Sequence, residues 1–158
     1  MIFESFCEED TESIGEKIAL MAVAGSIYGV VGGLGAGKTA FARGFAKGLG
    51  VRTNISSPTF GIVNEYTAAA ISSKSSVFSG QVANNISFYH FDVYRIVDVF
   101  EMENTGYEEY FFSDGITLVE WADIISKIMP KNTIYVHIIK DMENLEYRKI
   151  EVANDIIN

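Results

Sequence analysis

Residues 26–39 read SIYGVVGGLGAGKT, and this stretch decides the fold class. Its first half, SIYGVV, is a continuous apolar run of the length expected for a strand that is buried on both faces. In the segment that follows, TAFARGFAKGLG, the spacing of Phe41, Phe45 and Leu49 predicts a helix, and Gly50 is placed to end it. The stretch therefore predicts a strand, a glycine-rich loop and a helix in direct succession.

The glycine-rich half, GGLGAGKT, fits the pattern G-x-x-x-x-G-K-[ST] of a phosphate-binding loop. A loop that wraps a polyphosphate needs backbone conformations that glycine tolerates, and the helix after it directs its N-terminal N–H groups at the same anion. Lys38 is suited to reach the β and γ phosphates, and the Thr39 hydroxyl is suited to ligate Mg²⁺. A plain turn before a helix would explain the glycines but not Lys38 and Thr39 together. The predicted nucleotide-binding residues are Gly33, Leu34, Gly35, Ala36, Gly37, Lys38, Thr39 and Ala40.

Such a loop works with a second group on the metal side, usually an acid that ends a buried strand. The segment ITLVEW places Glu120 at this position, directly before Trp121. An exposed carboxylate at a strand end is the alternative, but beside GGLGAGKT a role at Mg²⁺ is favoured. Trp121, usually a core residue type, could instead cover the site or form part of a partner surface.

The aromatic strand SFYHFDVYRI supplies a further acid, Asp92, which shares a face with His90 and Tyr94. An acid in such surroundings is either exposed or used, and Asp92 could position an attacking water. His90 and His137 are interpreted as packed or exposed strand residues rather than metal ligands, because neither has a second His or Cys at a ligand spacing. Arg95 is either a phosphate-facing cation or an ordinary surface charge.

The remaining pattern predicts one domain over residues 1–158, an α/β fold whose central sheet is parallel and whose edge strands are antiparallel. Thr11 is a plausible N-cap for the first helix. Short helical turns are expected over 98–113, and strands over 115–121, 133–141 and 147–154. Residues 68–87 are interpreted as a long, partly disordered excursion between two strands.

Composition narrows the function classes. The net charge is −9, and six acids lie within the first sixteen positions, which suits a solvated helix start and argues against a protein that holds nucleic acid alone. Cys7 is the single cysteine, as is typical of a reducing compartment. We expect no secretory signal, no membrane span, a cytoplasmic location and a monomer in isolation.

Three functions are compatible with this site: an ATPase, a small-molecule kinase, and a nucleotide-gated adaptor with little turnover. The sequence lacks an N-K-x-D run for guanine and an arginine-rich lid segment of the kind that a small-molecule kinase would close over its phosphates. ATP is therefore the expected nucleotide, and the kinase hypothesis is the weaker one.

Taken together, GGLGAGKT, SSPTF, FYHFDVYR and LVEW resemble the TsaE family, the ATPase component of bacterial tRNA threonylcarbamoyladenosine biosynthesis. The resemblance covers nearly the whole chain, and the last three blocks in this order are much more specific than the loop alone. It implies a P-loop NTPase-like three-layer sandwich that binds ATP with Mg²⁺. It also implies an ATPase that is weak alone, works with the TsaB and TsaD proteins and meets tRNA only through that complex.

The resemblance also implies roles for single residues. Lys38 takes the phosphate role, Thr39 and Glu120 the Mg²⁺ roles, and Thr59 lies in a segment that resembles a switch loop sensing the γ-phosphate. Three more residues fall on family positions: Asp92 and Trp121, which are tied to activity, and Arg148, which matches a late arginine near the nucleotide base.

The chain departs from the family at Gly33, where members usually carry an acid within GDLGAGKT. We expect ATP binding to survive this change, because that side chain is not a phosphate ligand. The 68–87 excursion is also longer than usual for the family.

Overall fold

The computed structural model describes residues 1–58, 61–69 and 85–154. Its strands and helices follow one another in the order β1 (Ile2–Ser5), α1 (Glu8–Ala19), β2 (Ile27–Val31), α2 (Lys38–Gly48), β3 (Val63–Ala68), β4 (Ile86–Asp92), α3 (Val99–Glu103), α4 (Tyr107–Phe111), β5 (Ile116–Glu120), β6 (Ile134–Lys140) and β7 (Arg148–Ala153).

The strands form one sheet in the order β1-β7-β6-β2-β5-β4-β3. The four central strands are parallel, since β2 pairs with β5 and β6, and β4 pairs with β5. Antiparallel pairs close both sides, β3 with β4 at one edge and β6, β7 and β1 at the other. The predicted parallel centre with antiparallel edges is confirmed.

Two apolar clusters cover the two faces of the sheet, which makes the three layers. On one face α1 and α2 pack over side chains such as Phe88 and Leu118. On the other face α3, α4 and the turns that follow β5 pack over Phe91 and Val119. Strand β2 lies between the clusters and is buried along almost its whole length, which is why it reads as an uninterrupted apolar run.

The prediction of Thr11 as an N-cap is wrong, because α1 begins one turn earlier, after Cys7. Thr11 lies inside the helix, where its buried hydroxyl pairs with that of Ser5 at 2.7 Å. Three acids occupy the first turn, and one of them, Asp10, accepts a hydrogen bond from the N–H of Phe6. Their charge favours the helix N-terminus without a capping side chain.

The predicted excursion over 68–87 is shorter at both ends than expected. Strand β3 continues to Ala68, and β4 begins at Ile86. The rest of the excursion lies mostly outside the described residues. Of the helices in the described ranges, none joins enough length to enough apolar character to cross a bilayer.

Candidate functional site

The loop that leaves β2 at residue 32 runs to Gly37, the residue that caps α2. Gly37 has φ 106°, in the left-handed region that favours glycine, and a Cβ atom at Gly32 would lie only 2.6 Å from the carbonyl oxygen of Ile138. Helix α2 then starts at Lys38 with its free N–H groups and positive dipole end beside the loop. This geometry is the one that the motif predicted.

Lys38 is buried and folds back over its own loop. Its Nζ donates hydrogen bonds to the carbonyl oxygens of Gly32 at 2.7 Å and Gly33 at 2.9 Å. The same ammonium lies 3.3 Å from the centroid of the Trp121 ring, a cation–π contact. Lys38 is thus held between loop carbonyls and an aromatic face, at the position from which it can turn to an incoming anion.

The charge of Lys38 is set by opposing effects. Burial lowers the pKa of its ammonium from 10.5, and the nearby carboxylates of Glu120, Asp123 and Asp92 oppose this shift. The net direction is downward, so Lys38 loses its proton more readily than an exposed lysine.

Two cations from the end of the chain hold the outer side of the loop. Lys140 Nζ donates to the carbonyl oxygen of Leu34 at 2.9 Å, and Arg148 Nε donates to that of Ala36 at 2.9 Å. Strands β6 and β7 therefore support the loop conformation, although Lys140 and Arg148 lie about a hundred positions after the loop in the sequence.

The acid at the end of β5 meets the first turn of α2. Because β2 and β5 are parallel neighbours, the two strands deliver the loop and Glu120 to one edge of the sheet. The Thr39 hydroxyl donates to Glu120 Oε2 at 3.0 Å and lies 3.4 Å from the Ser57 hydroxyl. Glu120 is 1% exposed, and its other oxygen, Oε1, lies 2.9 Å from Nε2 of the buried His90.

Asp92 and Trp121 flank this group. Asp92 is directly opposite Glu120 in the β4–β5 register, is half-buried, and accepts a hydrogen bond from the N–H of Tyr94. Trp121 has φ 64°, which is uncommon for a bulky residue, and its N–H donates to the Val30 carbonyl at 2.9 Å. Its ring packs on Tyr94 with 4.7 Å between centroids.

These groups surround a cleft of about 430 Å³. Its lining unites most of the predicted site residues, namely Leu34, Gly35, Ala36, Gly37, Lys38, Thr39, Ala40, Asp92, Glu120 and Trp121, with Glu8, Arg43 and Tyr94.

Two predicted residues do not line the cleft, and a third lies outside the described residues. Among the described residues, Gly33 and Arg148 contact Lys38 and the loop backbone respectively, without lining the cleft. Thr59 lies outside the described residues. Arg95 lines a neighbouring hollow together with Asp92.

Sequence reasoning missed two features. It treated His90 as a packed or exposed strand residue, whereas the structure pairs it with Glu120. The available signal was its position two residues before Asp92, on the face that carries the acids. It also missed Lys140, for which the sequence holds no comparable signal.

A buried parallel strand, a glycine-rich loop with Lys38 at its end, and an acid on the neighbouring strand place the chain in the class of P-loop-like α/β proteins. Within that class, a model of the family described as "Threonylcarbamoyl adenosine biosynthesis protein TsaE" matches residues 6–150. The chain belongs to the TsaE family, as its four sequence motifs predicted.

Similarity to individual proteins supports membership of this family. A Bacillus subtilis protein named as the tRNA threonylcarbamoyladenosine biosynthesis protein TsaE is 38% identical over 128 residues, which cover 81% of this chain and 70% of the relative. A Haemophilus influenzae protein of the same name is 38% identical over 117 residues, covering 73% and 65%. The crystal structure of Bacillus subtilis YdiB superimposes with a TM-score of 0.69 at 31% identity and covers 98% of this chain and 86% of that one.

Proposed function

We propose that this protein is an Mg²⁺-dependent ATPase whose turnover supports the formation of N6-threonylcarbamoyladenosine at adenosine 37 of tRNA, in the cytoplasm and together with TsaB and TsaD. The observation that carries the proposal is the meeting of the Thr39 hydroxyl with the Glu120 carboxylate beside the loop that ends in Lys38. The relatives named as tRNA threonylcarbamoyladenosine biosynthesis proteins supply the pathway.

The residues present fit a magnesium nucleotide. Mg²⁺ prefers oxygen ligands and is usually held by one or two protein oxygens together with phosphate oxygens and water. Thr39 Oγ1 and Glu120 Oε2, 3.0 Å apart at the cleft wall, are oxygens of this kind. When bound, the ion neutralises charge on the phosphate oxygens.

The loop and Lys38 bind and orient the triphosphate. A phosphate anion competes for the Lys38 ammonium with the carbonyls of Gly32 and Gly33, and charge-assisted hydrogen bonds to phosphate are the stronger ones. Release of this ammonium also removes its contact with Trp121. Nucleotide binding is therefore expected to change the packing of the Tyr94–Trp121 pair at the rim of the cleft.

Asp92 is the group placed to orient the attacking water. It lines the cleft at the end of β4 and is not hydrogen-bonded to Glu120 or Lys38 among the described contacts. A carboxylate in this position can accept a proton from water or align it with the γ-phosphate.

The overall charge suits a protein that acts through partners. At −9 the chain repels a phosphate backbone, so contact with tRNA through TsaB and TsaD is more plausible than direct binding. The Arg43 guanidinium, which lines the cleft, is already paired with Glu12 at 2.8 Å and with Glu8.

The decisive experiment is reconstitution of multiple-turnover tRNA modification by TsaB and TsaD, with and without this chain, while phosphate release is measured in parallel. Lys38→Ala should abolish both the stimulation and ATP binding. Lys47→Ala is the matched control, because Lys47 lies on the same helix, is exposed and pairs with Glu16. Unimpaired ATP binding by Lys38→Ala would refute the site, and a phosphorylated metabolite without free phosphate would favour a kinase.

A further inference from the structure

The second oxygen of the Glu120 carboxylate is held by a histidine that lies below the cleft rather than in it. His90 is fully buried in β4, and its ring lies parallel to that of Phe88, with 6.4 Å between centroids and 6° between planes. Its Nε2 lies 2.9 Å from Glu120 Oε1.

This contact is the one polar bond of the imidazole within the described residues. The other ring nitrogen, Nδ1, is buried and has no hydrogen-bond partner there. An ionised carboxylate only accepts hydrogen bonds, so a positioning role for this contact requires that Nε2 carries the ring proton and donates it to Glu120. Burying a polar ring costs free energy, and for His90, in the part of the chain that the structure describes, only the hydrogen bond at Nε2 offsets that cost.

The contact with His90 gives the two Glu120 oxygens different partners. His90 takes Oε1, and Oε2 is left facing the Thr39 hydroxyl. Without His90, Glu120 would keep one neutral hydroxyl partner in a buried site and would be free to rotate about its terminal bond. Partners that orient a ligating side chain are commonly needed for metal affinity.

We propose that His90 is a positioning residue that holds the Glu120 carboxylate so that Oε2 faces Thr39, at the place where the proposed function puts Mg²⁺. The inference rests on the proposed function for the presence of Mg²⁺, whereas the contact between His90 and Glu120 involves protein atoms only. A packing role for His90 would need the shape of the ring and not the proton on Nε2.

Two variants separate these roles. His90→Gln places an amide nitrogen at the same number of bonds from Cβ as Nε2, and His90→Asn places it where Nδ1 was. Both remove the stacking on Phe88, so the loss of ring packing is common to the pair. Only His90→Gln can still donate to Glu120.

The readout is binding of a fluorescent, non-hydrolysable ATP analogue in EDTA and in saturating Mg²⁺. We expect all three proteins to bind alike in EDTA. The gain in affinity from Mg²⁺ should fall by about 10-fold or more in His90→Asn and stay near the parent value in His90→Gln. The proposal is overturned if His90→Asn keeps the parent's gain, or if both variants lose it equally.

A second measurement needs no substitution at His90. The chain has two histidines, so two-bond ¹H–¹⁵N correlations of the labelled protein, assigned with His137→Gln, report the protonation of each ring nitrogen. A proton on Nε2 of His90 supports the proposal, and a bare Nε2 overturns it. This result stands even if the parent binds no ATP analogue, which would refute the proposed function instead.

Discussion

Gly44 in α2 lies against the backbone of α1, and replacing it with alanine should force the two helices apart. A Cβ atom at this position would lie 1.9 Å from the carbonyl oxygen of Glu12 and 2.7 Å from its Cα. These are backbone atoms, so no side-chain rotation relieves the overlap. Because carbon–oxygen contacts rarely close below about 3.3 Å, the helices must separate by about 1.4 Å.

The expected cost follows from two opposing effects. Overpacking of a buried contact costs roughly 1–3 kcal/mol, and a clash with backbone belongs at the upper end of that range. Alanine in place of glycine stabilises a helix interior by about 1 kcal/mol. We therefore expect Gly44→Ala to lower the free energy of unfolding by about 2 kcal/mol, equivalent to a fall in Tm of about 4–8 °C for a domain of this size.

Urea unfolding followed by circular dichroism measures this change, with the m-value as a check that the unfolded state is unaltered. Gly33→Ala is the control, because its Cβ would meet no atom within 4 Å, and its effect should stay within about 0.5 kcal/mol. Since α2 begins with Lys38 and Thr39, ATP binding should weaken in Gly44→Ala as well. Equal or greater stability of Gly44→Ala would refute the reasoning.

Three further predictions concern the cleft. Gly33→Asp, which introduces the acid usual in the family, should leave Tm and ATP affinity almost unchanged because the side chain enters open space; a large loss of affinity in an ATP titration would contradict this. Asp92→Asn should bind ATP normally but release phosphate about 100-fold more slowly, because the amide cannot take a proton from water; equal rates would clear Asp92 of that role. Burial lowers the pKa of Lys38 below 10.5, so its ammonium in the free protein is deprotonated at a lower pH than that of an exposed lysine. ATP affinity should therefore fall as the pH rises towards 10.5. Lys38→Arg stays charged and should show no such fall, and a parallel decline in both proteins would assign the effect elsewhere.

The fold could be predicted from the sequence where local pattern and burial agree. Strand β2 reads as an unbroken apolar run because helices cover both faces of the sheet, and β6 and β7 pair as an antiparallel hairpin across a short connection. The start of α1 could not be predicted from capping rules. The side chain of its N-cap residue, Cys7, makes no capping hydrogen bond, and acidic charge in the first turn stabilises the helix start instead.

The site could be predicted as far as its residues belong to one continuous motif or to a strand end. Lys38 and Thr39 follow from the loop, and Glu120 follows from the end of an apolar strand. The sequence places His90 on the same strand face as Asp92, but it could not identify Glu120 as its partner, because that contact depends on β4 lying beside β5 in one particular register. The sequence shows both strands but not their order in the sheet.

The support of the loop could not be predicted for the same reason, and the structure adds a contact that the sequence did not predict for Arg148. The resemblance to the family predicts a place near the nucleotide base, and in the structure Arg148 donates a hydrogen bond to the Ala36 carbonyl. Lys140 does the same at Leu34. Carbonyls held in this way cannot turn towards a bound phosphate, where they would repel it. The loop motif identifies the residues that are predicted to contact the ligand. The residues that support the loop, Lys140 and Arg148, belong to strands β6 and β7, whose position in the sheet depends on the whole fold.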